Sequence, residues 1–296
     1  MAMNKPTDVG RSVKFRGAGP SRQVVVTVLV IVTVAAVMSL PPIPQSASYH
    51  CLADARSWLG IPNTLNVLSN LPFGIVGMLG LLATFGADAI RSNRFVSSWE
   101  RWPYAALFAS AALTSVGSTY YHLAPTNGRL VWDRLPMALG FMGLLAAVLS
   151  ERVCVANARR FFAPLLALGA FSVFYWFWTE RRGVGDLRLY GLVQFGSIFV
   201  IVLLLRLYSA SYTGVGYLVA ALVTYAVAIA FDRTDHQVFA VGHAVSGHTL
   251  KHLIAAAAVA FLVVMLRERV PIATPMDPQV EPSPLAAHLN KKVSDT

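Results

Sequence analysis

Eight apolar runs recur along this 296-residue chain, and they decide what it can fold into. They lie at 23–40, 65–86, 102–123, 131–149, 161–178, 187–207, 213–231 and 245–266. Each is long enough to cross the hydrocarbon core of a bilayer as a helix. A segment facing lipid has to satisfy its own backbone polar groups, so a helix is the default, and no barrel-type alternation is present. Charged residues make up only 13% of the chain and hydrophobic residues 56%. A soluble domain carries about twice that charged fraction. The expected fold is therefore all-α: a polytopic membrane helical bundle with a seven-helix core over 49–266 and one extra N-terminal transmembrane helix at 23–40. The flanks, 1–22 and 267–296, read as disordered cytoplasmic tails. The first run could also be a signal anchor or signal peptide, with Ser46-Ala47-Ser48 as a weak cleavage site.

The net charge of +10 does not point to nucleic acid. The basic residues are scattered through short loops between apolar runs, the pattern of membrane topology and not of a basic face on a soluble module. With the N-terminus inside, the inner segments hold sixteen Lys and Arg and the outer loops six. Both termini are thus expected on the cytoplasmic side of a cell or inner membrane, although Glu180–Arg188 runs against the rule. Cys51 and Cys154 fall on opposite sides, so no bridge between them is expected, and two cysteines make no disulfide framework.

Ionisable residues within membrane helices are costly and mark functional sites. Ser118 and His122 close the third run at spacing i, i+4, which puts them on one helix face. Asp133 opens the fourth run. His248 and His252, again i, i+4, open the last. With the termini inside, all three segments bring their polar groups to one depth near the outer face. Two histidines at i, i+4 form a common zinc pincer, and a third from another helix leaves a fourth position open. A site of that kind acidifies a bound water. Asp133 could then take the proton, and Ser118 could donate to a carbonyl as it becomes an oxyanion.

Plainer uses exist for these residues. Ser118 could serve helix packing, and Asp133 could cap its helix or pair with Arg134. Lys251 lies off the face of the histidine pair and could snorkel or hold a lipid head group. His243 reads as a loop residue or a support for the site, while His50, His236 and His288 have no partners at useful spacing. The polar head of the second run, from Asn63 through Asn66 and Ser69 to Asn70, suits helix–helix hydrogen bonding or support of the site. Asp232 to His236 reads as a solvated outer loop or the mouth of the site.

The ordered set Ser118-x-x-x-His122, Asp133-x-Leu135-Pro136-Met137 and His248-x-x-x-His252, together with Asn66-Val67-Leu68-Ser69-Asn70, resembles the alkaline ceramidase family. That family belongs to the CREST group of seven-helix membrane hydrolases, which also holds adiponectin-receptor-like proteins. The resemblance spans 49–266. It implies zinc on His122, His248 and His252, assistance from Asp133 and Ser118, and hydrolysis of a ceramide-type amide to a sphingoid base and a fatty acid. A membrane lipid would be the substrate partner. The family also carries a calcium site; here Asn63 stands near the position of its Glu and Asp54 is the main acidic candidate, so the residues do not favour Ca2+. The extra N-terminal run departs from the seven-helix pattern. Two other readings stay open: a receptor or sensor with structural zinc, and a transporter or channel with a histidine proton relay.

Overall fold

The computed structural model describes residues 20–91 and 94–272; the remainder of both expected tails, 1–19 and 273–296, lies outside the described residues. The described residues form α1 (Pro20–Ser39), α2 (Thr64–Leu68), α3 (Leu71–Phe85), α4 (Ala87–Arg91), α5 (Arg101–Leu123) and α6 (Asn127–Arg152). They continue with α7 (Val155–Arg181), α8 (Arg188–Gly191), α9 (Ser197–Leu207), α10 (Val215–Arg233), α11 (Asp235–Gly242) and α12 (Gly247–Glu268). No strand forms among them; two isolated β-bridges are the only extended pairings. The protein is an all-α polytopic helical bundle.

Seven of the helical segments are long and apolar enough to cross a membrane, α1 among them. The expected span at 102–123 forms as α5, with 23 residues, but falls below the other seven in apolar content. The reason is its position. One face carries Ser110, Thr114, Ser115, Ser118 and His122, all buried, while Leu113 and Val116 point outward. It packs between α3 and α6, both spans. A helix at the centre of the bundle holds its polar side chains against other helices and needs less apolar surface.

Two spans are less regular than their apolar runs suggest. The second breaks at Ser69-Asn70 into α2 and α3, because Pro72 in the first turn of α3 has no N–H to continue the ladder. The sixth passes through one π-helical turn, Leu192–Gly196, between α8 and α9. Such turns are frequent at functional sites.

Side chains buried between the helices gather toward each end. Tyr104, Phe108, Val148, Leu204 and Leu266 fill the end where α5 begins and α12 stops. Tyr121, Leu130, Met142, Val173 and Trp176 fill the end where α5 stops and α6 begins. Outward-facing Val, Leu, Ile and Phe on α1, α3, α7 and α10 cover the perimeter, as an integral membrane protein requires. Cys51 and Cys154 are both free and lie at opposite ends of the bundle.

The stretch from Arg267, expected to begin a tail, is ordered as far as Ile272. Arg269 is almost fully buried, forms an ion pair with Glu151, and stacks over Phe95, Tyr104 and Tyr212 at 4.5, 4.9 and 4.2 Å. Backbone bonds from Thr213 to Val270 and from Ile272 to Ser211 tie the strap down. Composition alone hides this, because a single arginine stapled into an aromatic cluster looks like any other basic flank.

Candidate metal centre

The three histidines meet at the end of the bundle where α5 and α10 stop and α6 and α12 start. His122 sits in the last turn of α5; His248 and His252 occupy the first two turns of α12. All three are buried, and one ring nitrogen from each lies within 4.8 Å of the others. Among the described residues this is the cluster of His, Cys, Asp and Glu that could hold a metal ion.

Close backbone approaches make the meeting possible. At Gly117 a Cβ would stand 2.0 Å from the Trp132 carbonyl oxygen, so only glycine lets α5 approach α6 there. That carbonyl is free to face α5, because Pro136, four residues on, offers it no N–H. The crossing sets buried Ser118 on α5 beside buried Asp133 on α6. At Gly247 a Cβ would stand 2.2 Å from the Phe231 carbonyl oxygen, which fixes the start of α12 against the end of α10. Ser246 caps α12 by accepting from Thr249 N, and Asp235 Oδ1 accepts from His248 N at 2.7 Å.

The outer nitrogens of His248 and His252 are held by the protein, which decides where their lone pairs point; His122 Nδ1 is buried without a hydrogen-bond partner. His248 Nδ1 donates to Asp232 Oδ1 at 2.8 Å. His252 Nδ1 faces Ser69 Oγ at 2.8 Å, and the Ser69 hydroxyl donates to the Asn66 carbonyl at 3.1 Å. Ser69 therefore accepts from the ring, and His252 Nε2 is left as a bare acceptor. That Nε2 is buried and has no hydrogen-bond partner. His122 Nε2 lies 3.2 Å from His248 Nε2. Three buried imidazole nitrogens facing one another, one of them an orphan, suit a cation, and the carboxylate and hydroxyl behind them are the usual supports of metal-bound histidine. The donor set fits a metal ion and does not by itself select which.

The remaining sequence candidates are placed as follows. Asp133 is buried and close enough to interact electrostatically with His248 and Lys251, but it is not part of the nitrogen cluster. Asn66 and Ser69 support the site: Asn66 Oδ1 accepts from Thr249 of α12, and Ser69 holds His252. Asn63 donates to the His122 carbonyl at 2.7 Å, closing the end of α5. Both Asp54 carboxylate oxygens accept from Arg56, whose guanidinium holds that carboxyl below the usual range, so Asp54 is already fully engaged. His50 bridges Tyr121 and Asn127, His236 meets the Cys51 carbonyl, and the His243 carbonyl accepts from Arg56. His288 lies outside the described residues.

Two site residues escape the sequence reading. Asp232 belongs to the last turn of α10 and not to a solvated loop, and it aims His248. Lys251 turns inward: its Nζ lies 3.4 Å from His248 Nε2 and 3.5 Å from Asp232 Oδ1, with its side chain 14% exposed. The signal for both was available in principle, since Lys251 is i+3 from His248 and shares a helix edge with it. Comparison with models of known protein families, with curated proteins and with solved structures returned no match.

Proposed function

We propose that the protein is a zinc-dependent intramembrane amidase that cleaves ceramide or a ceramide-like N-acyl lipid to an amine and a free fatty acid. The observation that carries the proposal is the convergence of three buried imidazoles, two oriented from behind, beside a buried Asp133 that is not one of their number. The resemblance to alkaline ceramidases adds the substrate class.

His122, His248 and His252 would hold the ion. When bound, zinc supplies Lewis acidity toward a carbonyl oxygen and acidifies water. Asp133 would accept a proton from the attacking water and return it to the amine nitrogen as the C–N bond breaks. Ser118, buried beside Asp133, would steady its carboxylate for that exchange. The surrounding apolar bundle keeps bulk water away and offers acyl chains a matching environment. The excess of Lys and Arg on one set of loops supports an orientation with both termini cytoplasmic and the site near the outer face.

The test is elemental analysis of purified protein followed by fatty-acid release from a panel of lipid amides that includes ceramide. Wild type should hold one zinc per chain and release fatty acid. His122→Ala, His248→Ala and His252→Ala should each lose both. Full turnover with normal zinc in all three variants would refute the assignment.

A further inference from the structure

Lys251 is a charged residue in the second turn of a membrane helix, and nothing in the reaction outlined above requires it. Among the described residues its one ion-pair partner is Asp232, at 3.5 Å, through the same oxygen that already accepts from His248 at 2.8 Å. Ion pairs elsewhere in this protein close fully: Arg56–Asp54 stands at 2.7 Å and Arg188–Asp186 at 2.8 Å. An ammonium has three donors, and neither of its two neighbours lies nearer than 3.4 Å. Lys251 is thus held at the edge of the histidine cluster with donors unspent, in a part of the protein where an unspent charge is costly.

Polar and charged groups surround it. Tyr225, Tyr49 and Asp133 all lie within electrostatic range of Lys251. Gln194, from the π-helical turn, donates to the Tyr225 hydroxyl across the interval between α9 and α10. The region beside the histidines therefore offers a cation with hydroxyl and amide groups behind it, next to the point where a lipid amide would react.

We propose that Lys251 binds an anionic group on the amine half of the substrate, so that N-acyl amino acids and related anionic amides are favoured over neutral amides, ceramide among them; this keeps the amide bond of the reading above and changes the head group. This rests on the amide-hydrolase reading for the reaction, but the recognition itself can be measured without turnover. The Nζ stands 3.4 Å from His248 Nε2, so a carboxylate one carbon from the scissile nitrogen would reach it while the amide lies at the histidines. A charged hydrogen bond of this kind supports a preference of about tenfold or more.

The experiment compares hexadecanoylglycine with hexadecanoylethanolamine, which share an acyl chain and differ in charge. Affinity is measured in an Asp133→Asn background, where the proposed base is removed, and kcat/KM in the native background. The glycine conjugate should bind about tenfold more tightly. Lys251→Gln should abolish that difference, mainly through KM in the turnover assay, and Lys251→Arg should keep it. Equal affinity for the two lipids with Lys251 present would overturn the proposal without needing any Lys251 variant, as would a preference that survives Lys251→Gln. An equal loss of kcat on both lipids in Lys251→Gln would also overturn it, since it would place Lys251 in the chemistry and not in recognition. Preferential binding of the glycine conjugate with no hydrolysis of either lipid or of ceramide would refute the hydrolase reading and leave the recognition site standing. Equal hydrolysis of both with no binding preference would do the reverse.

Discussion

Replacing Asp232 by Asn tests the proposed metal centre at a residue outside the nitrogen cluster. The Asp232 carboxylate accepts from His248 Nδ1 at 2.8 Å, which keeps the proton on Nδ1 and the lone pair on Nε2, the nitrogen that faces His122. Asn has nearly the same shape but carries no charge, and its amide can turn an N–H toward Nδ1 and favour the wrong tautomer. A hydrogen bond to a charged group contributes roughly 1.5–3 kcal/mol. Loss of such a partner behind a metal-bound histidine lowers metal affinity by roughly 10- to 100-fold, or about 1.4–2.7 kcal/mol. Ser69 is a neutral partner to His252, so Ser69→Ala should cost less, about tenfold at most. The assay is zinc competition against a chelator of known affinity on detergent-purified protein, with gel filtration to show that each variant is intact. The order of affinity should be wild type, Ser69→Ala, Asp232→Asn, then His248→Ala. Wild-type affinity in Asp232→Asn, with metal lost from His248→Ala, would refute the reasoning.

Three further outcomes follow from other parts of the fold. Gly117→Ala places a Cβ 2.0 Å from the Trp132 carbonyl oxygen, so α5 and α6 must separate; thermal unfolding in detergent should show a loss of about 1–3 kcal/mol, with metal content reduced as well. Arg269→Met removes the partner of buried Glu151 and should destabilise by about 3–5 kcal/mol in the same assay, with part of the loss recovered by adding Glu151→Gln. In the loop before α8, the Arg188 guanidinium holds the Asp186 carboxyl down at about 2. A depressed carboxyl stabilises the fold above its unfolded pKa, near 4, and loses that contribution as pH falls toward 2. Unfolding temperature measured across that window should therefore drop more steeply in wild type than in Asp186→Asn.

Much of this fold is written locally. A membrane helix needs only an apolar run of sufficient length, so α1, α6, α7, α10 and α12 follow from composition within a few residues. The same logic put His122, Asp133, His248 and His252 at one end of the bundle, because each sits at a run's edge and alternate runs travel in opposite directions. Spacing at i, i+4 was enough to pair His248 with His252.

What one run does to another is not written locally. Whether Ser69 turns toward His252 depends on the break that Pro72 imposes and on how α12 then crosses α2. Asp232 looked like a loop residue because its role exists only once Gly247 has let α12 close against α10. Lys251 looked like a residue reaching for the head groups, since helical spacing gives an angle around an axis and not the identity of the neighbour at that angle. Arg269 looked like a tail because its cage comes from residues more than fifty positions away. Sequence determined the spans and the end of the bundle that gathers the histidines, since hydrophobic length and helical period act within one segment. Tertiary structure alone decided which groups aim the histidines and which cation stands beside them, since those contacts arise only where separate helices meet.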